Sequence, residues 1–337
     1  MVLNLALSSN VEGGYGAGRI VNIVGDSHAG KSVLALTGLA EVACDAAFDE
    51  YLLLYYDQER AQAFNIEKMF GKKLLRRLEE AWSVEQELME MKEYLPPVSI
   101  QDFYRRVLQH IENDKPFICI LDSFDAISSE EELDRAEKFR VKGDMNNSYK
   151  MEKARWASEI FRVLSDGLSN TASLLIVISQ TRDNIDPMSH SKKTRAGGRA
   201  LEFYASHIFW LSKMQSLTKG DGARKTKIGR IVQAKITKTK LTGFEGDVKF
   251  PIYRQIGVDD SQAAIDFLLE WHDDWAKAGN SVECKKLGLK GMKMNICKQI
   301  DEDYRDEIKQ QLQEAWDAYM EASAIDRKCR FNSDSDL

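Results

Sequence analysis

The segment Gly25-Asp26-Ser27-His28-Ala29-Gly30-Lys31-Ser32 fits G-x-x-x-x-G-K-[ST] at every fixed position. An apolar run, Arg19 to Val24, leads into it, and a helical pattern, Val33 to Ala47, leads out. The glycines allow backbone N–H groups to close on phosphate oxygens, where a Cβ would block the approach. The helix that follows points its positive end at the same anion. Residues Gly25 to Ser32 are therefore expected to cradle a nucleoside triphosphate. Lys31 would reach its β- and γ-phosphates, and Ser32 would hold Mg²⁺. The plain alternative is a glycine-containing turn that matches by chance, and the strand–loop–helix context argues against it.

Three further apolar runs have strand length and end in polar groups. Tyr51 to Tyr56 stops at Asp57-Gln58-Glu59-Arg60, Phe117 to Leu121 stops at Asp122, and Ser173 to Ser179 stops at Gln180. Continuous apolar runs of this kind suit strands buried on both faces, and their carboxyl ends line the ligand crevice of an open α/β sheet. Asp122 is read as a second Mg²⁺ ligand rather than a capping aspartate. Gln180 is placed to touch a γ-phosphate. Glu59 is either the base that orients an attacking water or an ordinary solvated carboxylate. The expected fold is α/β: a twisted, mainly parallel sheet with helices on both faces, followed by a small, mostly helical C-terminal region.

Between these runs, residues 65–97 read as a charged helical insertion on the surface, ended by Pro96-Pro97. Residues 130–147 are highly charged and expected to be mobile, and a helix follows over 150–167. On it Arg155, Ser158 and Arg162 share one face, which is either simply solvated or a grip for a phosphate backbone. A long polar loop, 181–198, carries Lys192, Lys193 and Arg195; loops of that length inside a domain are functional or disordered. Residues 201–211 return to a strand pattern. Basic residues then predominate up to Lys240, a footprint suited to nucleic acid or, more plainly, to an edge strand protected by charge. Residues 260–278 read as one amphipathic helix with Gly279 at its end and with Trp271 and Trp275 in the core. A last helix would pack Ile308, Leu312, Trp316 and Met320. These features divide the chain into a core over 1–257, a small domain over 258–330 and an acidic tail over 331–337. Residues 1–18 form only a short element and a glycine-rich turn before the core.

Composition narrows the class. The net charge of −6 across 337 residues does not by itself mark a nucleic-acid binder, and it hides the basic stretch of 190–240. Five cysteines without C-x-x-C spacing argue against a disulfide framework or a zinc site. No signal peptide and no membrane-length apolar run is visible, so the expected location is cytoplasmic.

Gly197-Gly198-Arg199-Ala200-Leu201-Glu202-Phe203-Tyr204-Ala205-Ser206 resembles the G-G-x-A-L-x-F-Y-A-S segment of the RecA family of recombinases. Gly18 to Val21, Asp57-x-Glu59, Leu121-Asp122-Ser123 and Ser179-Gln180 are spaced as in that family. The resemblance covers roughly residues 3 to 255. It implies a RecA-like P-loop ATPase core acting as a DNA-dependent ATPase. Such a protein would bind single-stranded DNA, with duplex DNA as second substrate, and promote homologous pairing and strand exchange. Glu59 then matches the catalytic glutamate and Gln180 the γ-phosphate sensor. Arg155, Ser158, Arg162, Gly197 and Gly198 match DNA-contacting positions, with Lys192, Lys193, Arg195 and Arg199 in the same loop region. Lys238 and Lys240 match lysines that reach a neighbour's ATP, and Phe203 matches an interface aromatic, so ATP would sit between self-associated subunits. Arg199 stands where Asn is frequent and Glu202 where lysine is common. The first DNA loop, near Gly143 to Met151, does not keep the family's usual residues, and the helix and strand that precede the family's core have no counterpart in 1–18. A RecA-fold hexameric helicase, or an accessory relative that regulates another recombinase, are the alternatives.

Overall fold

The computed structural model describes residues 1–59, 65–142, 152–183, 193–195 and 198–325. The chain forms two compact units. One comprises Ala6–Ser8 and Gly14–Asp259; the other comprises Met1–Leu5, Ser9–Gly13 and Asp260–Leu337. The first helix, α1 (Val2–Ser8), contributes to both. Residues 1–5 and 9–13 group with the C-terminal unit.

In the larger unit, β1 (Arg19–Gly25) leads through the P-loop into α2 (Lys31–Cys44). Next come β2 (Leu52–Asp57), α3 (Ile66–Phe70), α4 (Lys72–Leu88), α5 (Ile100–Glu112) and β3 (Phe117–Asp122). Then follow α6 (Glu130–Lys142), α7 (Glu152–Asn170), β4 (Leu174–Asp183), β5 (Lys193–Arg195) and α8 (Gly198–Tyr204). Three long or short antiparallel strands and one more complete the run: β6 (His207–Lys219), β7 (Thr226–Thr239), β8 (Gly246–Tyr253) and β9 (Gly257–Val258). The sheet order is β2-β3-β4-β1-β6-β7-β8-β9, with β5 paired to β4. Strands β2, β3, β4, β1 and β6 run parallel, whereas β6–β7, β7–β8 and β8–β9 each pair antiparallel.

The parallel strands bury both faces, as their unbroken apolar runs require. One face presents Leu54, Tyr56, Phe117, Leu121, Leu175 and Val177 to a cluster that includes Phe103 of α5 and Phe161 and Leu164 of α7. Helix α2 buries Ala35, Leu36 and Leu39 and contacts β1, β3 and β4. Each fully buried Leu or Phe of this kind contributes about 1.5–3 kcal/mol. Parallel register aligns the strands' carboxyl ends. Gly25 lies opposite Gln180 and Leu211, and Asp57 lies opposite Asp122.

Four local expectations are corrected. The 65–97 segment is not merely superficial. Helix α4 buries Leu74, Leu78 and Ala81, and its Arg77 donates to the carbonyls of Val42, Phe48 and Tyr51. Residues 201–204 belong to α8, and the strand begins only at His207. Residues 130–142 form a regular helix, α6. The expected helix over 260–278 stops early, because α9 (Asp260–Trp271) gives way to a three-stranded antiparallel sheet. Its strands are β10 (Trp275–Ala278), β11 (Ser281–Cys284) and β12 (Leu289–Met292). Ala278 pairs with Ser281, so Gly279-Asn280 is a two-residue hairpin turn, and Gly279 supplies φ +62°. The glycine that looked like a helix terminator closes a hairpin.

That sheet belongs to the smaller unit, with α9, α10 (Lys293–Gln299) and α11 (Arg305–Ala322). Buried Trp275 donates its indole N–H to Gln311 at 2.7 Å, whereas Trp271 is 37% exposed and meets Tyr319 edge-on. Of the two tryptophans assigned to the core, only Trp275 is buried. The amino group of Met1 meets the Asp260 carboxylate at 2.7 Å within the same unit.

Candidate active site

The P-loop turns between β1 and α2 where the sheet leaves no room for side chains. A Cβ on Gly25 would lie 2.6 Å from the Leu211 carbonyl oxygen. Gly30 has φ +100°, and a Cβ there would meet the Ile252 side chain at 2.5 Å. Lys31 is buried; its Nζ donates to the carbonyls of Gly25 at 3.0 Å and Asp26 at 2.8 Å. Burial pushes its pKa down, while Asp122, Glu59, Asp125 and Asp26 pull it back up.

A cavity of about 270 Å³ opens over this loop, lined among others by Lys31, Ser32, Asp57, Glu59, Asp122 and Gln180. The groups expected to act on one triphosphate, drawn from four strand ends, thus meet in one space. Asp122 is buried and accepts from the Ser32 hydroxyl and, at 3.1 Å, from Tyr55. Burial pushes the Asp122 pKa up, and these two donors favour the charged form. A serine hydroxyl touching a carboxylate is a hard-oxygen donor pair that suits Mg²⁺, which takes few protein ligands and completes its shell with water and phosphate. Among the described residues no group of three or more His, Cys, Asp or Glu could hold a metal.

Glu59 is exposed at the cavity. One carboxylate oxygen accepts from the Ser123 hydroxyl at 2.9 Å and from the Gln180 side-chain amide. Gln180 is fixed from behind, since its backbone N–H donates to Asp125 at 2.7 Å; Arg182 holds the other Asp125 oxygen at 3.0 Å. Tyr55, Ser123, Asp125 and Arg230 escaped sequence reasoning. Their roles come from register and side-chain direction across the sheet, and no local motif encodes those. Arg230, seen in the sequence only as part of a basic run, reaches from β7 to the His28 carbonyl and lines the same cavity.

A second cavity, about 840 Å³, lies along β5, α8, β6 and β7. Lys193, Arg195, Arg199, Lys235 and Lys238 line it together with Glu202. Arg195 stands 5.9 Å over the Trp210 ring, and burial pushes its pKa down. Lys238 donates to the carbonyls of Glu202 and Phe203, and Lys240 approaches Phe203 at 3.5 Å; neither lysine lines the phosphate cavity of its own chain. Phe203 is 71% exposed. Lys193 also bridges to the P-loop, where its Nζ meets the Asp26 carboxylate at 2.5 Å beside the Thr181 hydroxyl. Asp26 is held below the usual carboxylate range, first by Lys193 and then by Thr181. Arg155, Ser158 and Arg162 lie exposed on α7 and line neither cavity. Gly198 opens α8. Lys192, Gly197 and the segment 143–151 lie outside the described residues. Among the described residues no helix is long and apolar enough to cross a membrane.

Comparison with known proteins agrees with this geometry. A family model described as the RecA N-terminal domain matches residues 112–259, which contain Asp122, Gln180 and the glycine-pair segment. The chain is 26% identical over 282 residues to "Protein RecA" of Leptospira biflexa, covering 82% of this chain and 64% of that protein. It is 28% identical over 245 residues to "Protein RecA" of Lactococcus lactis subsp. cremoris, covering 72% of this chain and 54% of the relative. Against "Protein RecA" of Colwellia psychrerythraea it is 26% identical over 300 residues, covering 89% and 77%. The chain thus spans less than two thirds of the length of the first two relatives. With the P-loop, the strand-end acids and the glycine-pair helix standing on one mainly parallel sheet, these matches show that the chain is similar to the RecA family.

Proposed function

We propose that this protein is a DNA-dependent ATPase that binds single-stranded DNA and promotes homologous pairing and strand exchange. The observation that carries the reading is the Glu59–Gln180 hydrogen bond. Glu59 stands at the phosphate cavity, and Gln180 lies on the strand that continues into the β4–β5 hairpin with Lys193 and Arg195. A group that senses phosphate is therefore joined in sequence to groups suited to DNA.

In this mechanism Lys31 and the P-loop amides bind the β- and γ-phosphates, and Ser32 and Asp122 would hold Mg²⁺. When bound, the ion neutralises charge on the phosphate oxygens. Glu59 orients the attacking water and takes up its proton, while Gln180 exchanges its bond to Glu59 for one to the γ-phosphate. Lys238 and Lys240 of a neighbouring copy stabilise the transition-state charge. DNA contact runs chiefly to phosphates through Lys193, Arg195 and Arg199, with Arg155, Ser158 and Arg162 as a second group, and is therefore salt-sensitive. Nucleotide acts as an assembly ligand, favouring the DNA-holding state while intact.

Electron microscopy with single-stranded DNA, Mg²⁺ and a non-hydrolysable ATP analogue, paired with an ATPase assay, tests this. Helical filaments and DNA-stimulated hydrolysis are expected. Rings would replace the reading with a motor. Isolated particles with no stimulation would replace it with an accessory role.

A further inference from the structure

We propose that Arg230 is a second cation for the nucleotide's phosphates, supplied by the same chain that supplies Lys31; the proposal rests on the ATP-binding reading above. Arg230 lies on β7, opposite Ile252 of β8 and Ser216 of β6. Those strands press on the phosphate loop, as the Ile252 side chain against Gly30 records. A residue 202 positions from His28 is thereby brought to the loop. One guanidinium nitrogen donates to the His28 carbonyl, and the side chain lines the cavity shared by Lys31 and Ser32.

An arginine has five N–H donors in a rigid planar fork. The His28 bond fixes the fork at the loop and leaves donors for a phosphate, which guanidinium matches in a bidentate manner. Among the described residues no carboxylate pairs with Arg230, so its charge is not already spent. The surroundings are positive as well: the Lys227 ammonium is pushed down by Lys213 first and also by Arg230 and Arg254. A polyanion at the loop would relieve that repulsion. A nucleoside monophosphate, with one phosphoryl group, would draw less on two cations than a triphosphate does.

The arrangement separates two kinds of cation. Lys238 and Lys240 do not line their own chain's phosphate cavity, whereas Arg230 does. Arg230 therefore acts in cis, and its contribution persists at protein concentrations too low for self-association.

Equilibrium binding of ATP and AMP with Mg²⁺, at low protein concentration, tests this on the full chain with Lys31→Ala as reference. Arg230→Ala is expected to weaken ATP about tenfold and AMP much less, and Arg230→Lys to recover part of the loss. Arg230→Gln keeps the stem without the charge and carries the same readout if the alanine variant folds poorly. ATP affinity unchanged in Arg230→Ala and Arg230→Gln, or equal losses for ATP and AMP, would overturn the proposal. Mixing Arg230→Ala with Lys31→Ala chains should restore no turnover, because a working site needs both residues from one chain; recovery would move Arg230 to a neighbour's site and overturn it as well. If the unaltered protein bound no ATP, or Lys31→Ala bound it normally, the ATP reading itself would fall. An intact Lys31 effect with a silent Arg230 defeats only this inference.

Discussion

The phosphate cavity and the basic cavity beside it are built on the same sheet but are completed differently. In the first, each functional group has a partner of its own chain: Lys31 on loop carbonyls, Asp122 with Ser32 and Tyr55, and Glu59 with Ser123 and Gln180. In the second, Lys193, Arg195, Arg199, Lys235 and Lys238 face a single lining acid, Glu202. Burial, and after it Lys240, push the Lys238 pKa down, while Glu202 pulls it up. A balanced site can be preorganised inside one chain. A cavity with more cations than acids suits an anionic ligand.

The strongest test of the first cavity is Glu59→Gln. It keeps size and hydrogen-bonding reach but removes the base. Hydrolysis should fall about 10³-fold while ATP-dependent DNA binding, read by fluorescence anisotropy, survives. Ordinary turnover would return Glu59 to being a solvated carboxylate. For the second cavity, Lys238→Ala with Lys240→Ala should lower DNA-stimulated turnover about 10²-fold. Adding Lys31→Ala chains should recover part of it, since each partner then supplies what the other lacks. Failure to recover would mean that the second cavity is not completed by a neighbour.

The smallest effect concerns the core beneath both. His110 and His207 are buried, their ring nitrogens have no hydrogen-bond partner among the described residues, and burial pushes each pKa from 6.5 down to about 4. Between those values the unfolded chain binds more protons than the folded one. Stability should therefore be full above pH 6.5 and decline as pH falls towards 4, by at most about 3 kcal/mol per histidine. Urea unfolding at pH 7.5 and pH 5, with His110→Phe and His207→Phe for comparison, reads this. An undiminished slope in both variants would remove the histidines as its cause.

Much of the phosphate cavity was legible because its chemistry sits at strand ends. An apolar run that stops at Asp57, Asp122 or Gln180 states both that a buried strand is present and where it ends, and parallel register brings those ends together. The C-terminal unit was less legible. The 260–278 stretch carries helical spacing as far as Trp271, and Gly279 serves a helix end as readily as a hairpin. Only the pairing of Ala278 with Ser281 decides between them. Helix α4 was recognisable by its period. Its burial depended on Arg77 finding three carbonyls, at Val42, Phe48 and Tyr51, which no spacing announces.

The sequence by itself determined the phosphate loop, the succession of buried strands and the acids at their ends, because each is a local pattern with a local physical cause. Tertiary structure alone decided that Gln180 should meet Glu59, that Tyr55 should hold Asp122, and that Arg230 should reach the loop from an antiparallel strand. Those contacts depend on register between distant strands. Register is set by how whole faces pack, and no short stretch of chain contains that information.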